Sequence, residues 1–362
     1  MLDEKFNDMA IRQFEEAGPG LSEYWVVARE PYFTSSPLAR TCSPKELVNR
    51  LSGTDVAGVV FHSLPPQHYR FLRATPAGKR IVWIGWGYDY YSLLGQDYNA
   101  SLVLEKTSRI DFPTRRQVAK NDVKAILNKL GLWGRERKVS NLSRIDYFSP
   151  VLDIEYDLIR QHVPIRAAYL HWNYATAEED LAPSGSVLEN GKNILAGNSS
   201  SATNNHVELF EAIRDQVDLS SRKVVTPLSY GDARYRERVI EIGQRILGDN
   251  FHPLADFMPK EEYLETIRSC GFVIMNHLRQ QAVGNICSAM LMGAKVYLNP
   301  RNPLMGWFQK RGAIVGSIAS LDMTPLTKQE ELINRELVYE HWGRERQRRK
   351  TKNLIDTILG TT

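Results

Sequence analysis

Short apolar runs alternate along this chain with longer stretches in which apolar residues return every three or four positions, and both halves repeat the pattern. Apolar runs bounded by Gly, Pro or Asn read as buried strands, and the 3.6-residue period reads as helices packed on them. The predicted strands are 24–28, 56–61, 80–85 and 145–148 in the first half, then 193–196, 223–227, 272–275 and 295–298 in the second. Strands alternating with helices predict parallel-sheet α/β domains. Residues 178–191 (E-E-D-L-A-P-S-G-S-V-L-E-N-G) are acidic and turn-rich, which places a linker there and a boundary near residue 185. The expected domains are 1–185 and 186–362, with the option that the last helix of the second packs back on the first.

Ligands of open α/β sheets bind beyond the carboxyl ends of the strands, so the strand ends hold the candidate chemistry. The run C-G-F-V-I-M (270–275) leads into N-H-L-R-Q-Q-A-V-G-N (276–285), and I-C-S-A-M-L-M-G (286–293) reads as the body of a helix. The free N–H groups and partial positive charge of a helix start favour an anion. Arg279 adds a planar cation, Gly284 lets backbone approach a ligand, and Gln280, Gln281 and Asn285 add neutral hydrogen-bonding groups. An ordinary loop whose amides cap the helix explains the same ten residues. Strand 193–196 ends similarly in G-N-S-S-S-A-T-N-N-H (197–206), where Gly197, Asn198, Ser199, Thr203 and Asn204 crowd small polar groups against another helix start. Asn204 or Asn205 as a simple N-cap accounts for part of that composition. The third end, V-V-T-P-L-S-Y-G (224–231), offers Ser229 and Tyr230 to a sugar or base, although a lone tyrosine is as often a packing residue.

The chain of 362 residues is 43% hydrophobic and 24% charged, which suits a soluble protein of two domains. It has no apolar run of the ~18 residues that would suggest a transmembrane helix, and its polar start, M-L-D-E-K-F-N-D, is unlike a secretory signal. Cys42, Cys270 and Cys287 are odd in number and widely spaced, fitting a reducing compartment and no zinc site. The net charge of +4 is unevenly spread: between Lys106 and Arg144 eleven Lys or Arg face three acids. There Val123, Ile126, Leu127 and Leu130 keep helical spacing with Lys120, Lys124 and Lys129 off the stripe. Such a helix suits an anionic membrane or a diphosphate lipid, or packs its stripe into its own domain. A second basic run, 344–352, is a charged helix face on the plainest reading. No nucleic-acid module or stacking array accompanies the basic residues, which argues against a nucleic-acid partner.

The three loops together, I-L-A-G-N-S-S-S-A-T-N-N-H, V-V-T-P-L-S-Y-G and R-Q-Q-A-V-G-N, resemble in order and wording the bacterial transferases of dTDP-linked 4-acetamido-4,6-dideoxygalactose (Fuc4NAc) that act in enterobacterial common antigen assembly, often labelled 4-alpha-L-fucosyltransferases. The resemblance runs strongly over about 193–315 and more weakly over about 59–172. It implies a GT-B architecture, two Rossmann-like domains facing across a cleft with the nucleotide sugar held mainly by the second. By that resemblance Gly197, Asn198, Ser199, Arg279, Gln280, Gln281, Gly284 and Asn285 hold the donor diphosphate, and the base and deoxyribose lie nearer Tyr230 and residues 256–262. It also implies a polyprenyl-diphosphate glycan acceptor and a peripheral place on the cytoplasmic face of the inner membrane.

In the first half, His62 and the segment G-W-G-Y-D-Y-Y (85–91) match by position a histidine and a W-G-x-D segment of that family. A transferase must take a proton from the acceptor hydroxyl and offset charge on the departing diphosphate. Asp89 is the expected base, His62 its competitor because its ordinary pKa is near neutral, and Arg279 the charge stabiliser. Asp89 equally suits an N-cap or a sugar-hydroxyl ligand. The sequence has no D-x-D triplet of the kind that holds a divalent cation against a diphosphate, so no metal cofactor is expected. Family members begin with an apolar strand before a D-E-K-F-like segment, whereas only Met1 and Leu2 precede Asp3 here, so that strand is expected to be trimmed, short or formed differently. The resulting expectation is a metal-independent glycosyltransferase. A sugar-nucleotide epimerase or hydrolase of the same fold and a non-catalytic nucleotide-sugar-binding protein are the alternatives.

Overall fold

The computed structural model describes residues 1–361 except Asp3, Lys5, Arg29, Phe257 and the segments 112–140 and 182–190. The basic amphipathic helix expected around 120–133, the boundary near residue 185 and any role of Asp3 or Lys5 therefore lie outside the described residues. The chain divides into two units: Met1–Asn99, Arg115–Thr176 and Arg344–Thr362 form one, and Ala100–Thr114 with Ala177–Gly343 form the other.

In the first unit β1 (Tyr24–Val26) and β2 (Ala39–Thr41) pair in parallel. β3 (Gly58–His62), β4 (Arg80–Ile84), β5 (Tyr147–Ser149) and β6 (Ala168–Tyr169) form a parallel sheet in that order. Ile81, Val82, Trp83 and Ile84 are almost wholly buried, as expected of a parallel strand covered on both faces. Helix Asn7–Ala17 and helix Arg344–Leu359 pack on each other, and Ala10, Ile11, Phe14, Leu354 and Ile355 join the core around Trp172. Thr351 accepts the Trp172 indole N–H at 2.9 Å, and Lys350 donates to the Asn173 side chain at 3.0 Å. Met1 donates its amino group to the Trp25 carbonyl (2.7 Å) and accepts from the Val27 N–H (3.0 Å), a parallel register opposite Val26. β1 and β3 border a cavity of about 390 Å³ into which Phe14, His62 and Phe71 also face.

The second unit is built on one parallel sheet of β7 (Asn193–Ala196), β8 (Val224–Pro227), β9 (Phe251–Leu254), β10 (Cys270–Met275), β11 (Lys295–Leu298) and β12 (Val315–Ser317), in the order β12-β11-β10-β7-β8-β9. From β7 the chain winds to one side through β8 and β9, then returns to the other side at β10. The strand order therefore reverses between β7 and β10, the kind of switch point beyond which open α/β sheets bind their ligands. Ile194, Leu209, Phe210, Ile213, Val224 and Ile274 are fully buried against this sheet. Each contributes roughly 1.5–3 kcal/mol relative to an exposed position. Gly271 has no alternative in β10, since a Cβ there would lie 1.9 Å from the Gly191 carbonyl oxygen.

Candidate functional site

The β7 loop is shaped by two left-handed residues. Gly197 turns the chain at φ +73°, and Asn205 (φ +53°) restarts it as helix His206–Gln216. Between them Asn204 is fully buried and its amide donates to the carbonyls of Ser199 and Ser201, each at 3.0 Å, while its Oδ1 accepts the Asn198 N–H at 2.9 Å. Asn204 thus holds the loop's shape from inside rather than reaching a ligand. Asn205 ties the loop to its neighbours: its Nδ2 donates to the Asn276 carbonyl (2.9 Å), the Asn276 amide donates back to the Asn205 carbonyl (3.2 Å), and Asn299 donates to Asn276 Oδ1 (2.7 Å). These amides fix the ends of β7, β10 and β11 to one another.

The start of helix His206–Gln216 is partly covered by another segment of the same unit. Thr107, on the short helix Glu105–Ser108 of the same unit, accepts the Val207 N–H at 3.2 Å. Glu208 accepts from Lys106 N–H (2.7 Å), Thr107 N–H (3.1 Å) and the Thr107 hydroxyl (2.5 Å). Of the N–H groups in its first turn, that of Val207 is therefore taken by a side chain a hundred positions away in sequence, while Glu208 in the same turn caps the start of helix Glu105–Ser108.

The β10 loop has the opposite character. Ala282 takes a left-handed conformation (φ +61°) and helix Val283–Met292 follows it, two to three residues earlier than the sequence period indicates. A non-glycine residue held there costs about 1 kcal/mol or more, which the surrounding loop must offset. The first helical bond runs from Ile286 N–H to Ala282 C=O at 3.0 Å. The N–H groups of Val283, Gly284 and Asn285 thus have no partner further back in the helix. Gly284 is exposed and lies in this first turn, where a Cβ would approach nothing nearer than Leu181 at 3.9 Å. Asn285 is half-buried and donates to the Tyr263 hydroxyl at 3.2 Å. Arg279 is half-buried and Gln280 buried in the turn before it.

A polar bridge joins the two loops. Thr203 donates to Gln281 Oε1 (2.8 Å), and Gln281 Nε2 donates to Asn198 Oδ1 (3.0 Å). His277 Nε2 lies 3.1 Å from the same Asn198 oxygen and 2.9 Å from Asn204 Oδ1. Ser199 is buried beside Asn198. At the third strand end Ser200 donates its N–H (2.7 Å) and hydroxyl (2.9 Å) to the Tyr230 carbonyl, which leaves the Tyr230 ring strongly exposed. Gly231 (φ +123°) packs against Ser200 so closely that a Cβ would sit 2.5 Å from its carbonyl oxygen. Gly197, Asn198, Ser199, Thr203, Gln281 and Tyr230 are therefore brought into one linked set of loops. Thr107, Asn276, His277 and Asn299 were not singled out by sequence reasoning, although Asn276 and His277 stood inside the 276–285 segment and Thr107 at the start of the basic stretch.

In the first unit Asp89 and His62 have other tasks than the expected one. Asp89, in the turn Tyr88–Tyr91, is 2% exposed; its Oδ2 accepts Leu64 N–H (2.9 Å) and the Trp83 indole N–H (2.8 Å), and its Oδ1 accepts Trp86 N–H (2.9 Å). Burial raises its pKa while these donors oppose the rise. It braces the ends of β3 and β4 through three donors, two on Oδ2 and one on Oδ1. His62 is buried with its Nδ1 2.7 Å from the Tyr174 hydroxyl, which accepts the Trp86 indole N–H at 2.6 Å. The Tyr174 hydroxyl, which accepts from Trp86, has its own proton available for Nδ1, and burial keeps the imidazole neutral. Burial, aided by the Met1 amino group, pushes its pKa down to about 3, too weak a base for a hydroxyl at neutral pH.

The family described as 4-alpha-L-fucosyltransferase, glycosyl transferase group 56, matches residues 140–322, a stretch that contains all three loops. Among solved structures the chain is similar to a glycosyltransferase from Rickettsia africae ESF-5 (TM-score 0.56, 11% identity, 100% of this chain and 98% of that one). It is also similar to Anabaena Alr3699/HepE in complex with UDP and glucose (TM-score 0.61, 9% identity, 100% and 98%). A third similar structure is the sucrose-phosphate synthase of Thermosynechococcus elongatus (TM-score 0.59, 12% identity, 98% and 94%). At such identities the likeness carries the fold, which is GT-B.

Proposed function

This chain belongs to the 4-alpha-L-fucosyltransferase family, glycosyl transferase group 56, and from that premise we propose that it moves a Fuc4NAc-like deoxy-amino sugar from a dTDP-linked donor to a lipid-linked glycan without a metal ion. It is a glycosyltransferase of GT-B fold. The observation that supports the donor site is the first turn of helix Val283–Met292, whose N–H groups have no helical partner and which opens at the sheet's switch point beside Arg279. A diphosphate placed there meets backbone N–H groups, a guanidinium and the amides of Gln280, Gln281 and Asn198. These groups suffice in kind to offset the charge of a departing nucleoside diphosphate, so the reading needs no cation. Tyr230, exposed at the neighbouring strand end, is assigned to the base or sugar. HepE was solved with UDP and glucose, which makes a uracil donor the natural competitor to thymine.

No helix among the described residues is long and apolar enough to cross a membrane. In this reading the lipid-linked acceptor is met at a peripheral surface.

The deciding experiment is transfer from dTDP-Fuc4NAc to a polyprenyl-diphosphate glycan in excess EDTA, preceded by thermal shifts with dTDP, UDP and GDP. The expected result is a rise in melting temperature with dTDP and undiminished transfer in EDTA, since a ligand of the folded state must stabilise it. A shift with UDP or GDP but not dTDP rejects the donor, and activity that disappears in EDTA and returns with magnesium rejects the metal-free reading. Separately, Arg279→Ala should weaken dTDP binding by about 10-fold or more, the loss of a charge-assisted contact. Unaltered affinity in calorimetry would remove Arg279 from the site.

A further inference from the structure

His277 is fully buried at the end of β10, and its two ring nitrogens have very different surroundings. Nε2 lies 2.9 Å from Asn204 Oδ1 and 3.1 Å from Asn198 Oδ1. Nδ1 is buried with no hydrogen-bond partner. Asn204 Oδ1 is a true carbonyl oxygen, because the same atom accepts the Asn198 main-chain N–H and its partner nitrogen donates to two carbonyls. Asn204 Oδ1 therefore calls for a proton on Nε2, and Asn198 then meets that N–H with its oxygen, the atom to which Gln281 Nε2 also donates at 3.0 Å.

Two acceptors facing one ring nitrogen fix the proton. With the proton on Nδ1, an N–H would be buried without a partner and the Nε2 lone pair would meet two oxygen lone pairs. With the proton on Nε2, both oxygens receive a donor and only a lone pair is left unpartnered, the smaller loss. The imidazole is neutral, since burial and then the Arg279 charge drive its pKa far below the ordinary value.

The consequence reaches the ligand side through Asn198. Its carbonyl oxygen is committed to His277 and Gln281, so the half-buried side chain is left with its Nδ2 hydrogens as what it offers outward. An amide turned the other way would present an oxygen, which repels a phosphate. We propose that His277 is a positioning residue for the donor site: as the neutral Nε2–H tautomer it holds the Asn198 amide so that N–H groups, not the carbonyl, face an oxygen of the donor diphosphate. This rests on the donor-site reading above and adds to it the group that sets the polarity of the β7 loop.

The test combines a ligand-free readout with a binding cycle. Two-dimensional long-range ¹H–¹⁵N spectra of histidine-labelled protein at neutral pH should show the His277 signals, identified by their loss in His277→Gln, as the Nε2–H tautomer. An Nδ1–H or doubly protonated ring overturns the proposal. In calorimetry with dTDP, His277→Gln should stay within about threefold of the unaltered chain, because its amide nitrogen can donate from a similar position. His277→Leu should bind about 10-fold more weakly, as expected for losing one oriented hydrogen bond to a charged group. Asn198→Ala should lose a similar factor, and adding it to His277→Leu should cost little more, because both act through one contact. Independent, multiplying losses or a His277→Leu chain of unaltered affinity overturn the positioning role alone. An unaltered chain that binds no nucleotide overturns the donor reading and this role with it. Should His277→Leu fail to fold, Asn198→Ala with undiminished affinity overturns the role by itself.

Discussion

Lowering the pH from 7 to 5 is expected to destabilise each unit by on the order of 4 kcal/mol, through two histidines apiece that the fold keeps neutral. In the first unit burial pushes His62 down to about 3 and His68 to about 4. In the second His206, enclosed and 3.0 Å from the Tyr235 hydroxyl through Nδ1, is pushed down to about 3, and His277 lies well below its ordinary value. In the unfolded chain all four titrate near 6.5. Below that pH the unfolded state binds protons that the folded state refuses, so stability falls as pH falls, and the loss continues towards the folded values, near 3 for His62 and His206 and near 4 for His68. Each histidine adds a slope of about 1.4 kcal/mol per pH unit, hence about 2 kcal/mol by pH 5. Asp89, with a raised pKa, works in the other direction and takes up its proton in the folded state first, which offsets part of the loss. Denaturant midpoints at pH 7.5, 6 and 5 provide the measurement. A midpoint that stays level across this range would mean that the buried rings are protonated in the folded protein.

The second large effect is expected at Asp89. Replacing it with Ala strands three donors, Leu64 N–H, Trp83 Nε1–H and Trp86 N–H, inside the first unit. An unpaired buried donor costs about 1–3 kcal/mol, and removing a buried charged acceptor costs ~3–5 kcal/mol in total. For a unit of this size that lowers the melting temperature by on the order of 10 °C. Asp89→Asn should be milder, since one oxygen remains, yet its amide hydrogens must then face at least one of the three donors. Calorimetric melting separates this from a role in catalysis. An Asp89→Ala protein that melts like the unaltered chain but transfers no sugar would return the carboxylate to the chemistry.

The contrast between Asp89 and the β7 and β10 loops shows what the sequence discloses. Strand 193–196 is found where the apolar pattern puts it, and β8, β10 and β11 differ from expectation by at most two residues at one end. Their runs are apolar throughout because both faces are covered, which is the easiest strand signal to read. β9 (F-H-P-L) was missed because proline argues against a strand, although it is tolerated at a sheet edge, which is where β9 lies. β2, β6 and β12 are three residues or fewer and carry too little pattern to register. The glycine and amide richness of the β7 and β10 loops was visible because such turns demand those residues. The motif around Asp89 reads the same whether its carboxylate faces solvent or core. Nor could His277 be assigned a partner from sequence, for its two acceptors lie 73 and 79 residues away.

Helix Arg344–Leu359 belongs to the first unit, and its place there bears on the order in which the protein is made. A chain emerging from the ribosome presents residues 1–176 early, yet Trp172 must wait for Thr351, Asn173 for Lys350, and Phe14 for Leu354 and Ile355. The second unit has all its strands by Ser317 and its last helix by Trp342. The half whose synthesis begins first is therefore completed after the second unit, and it carries an apolar seam that closes only once helix Arg344–Leu359 has been made.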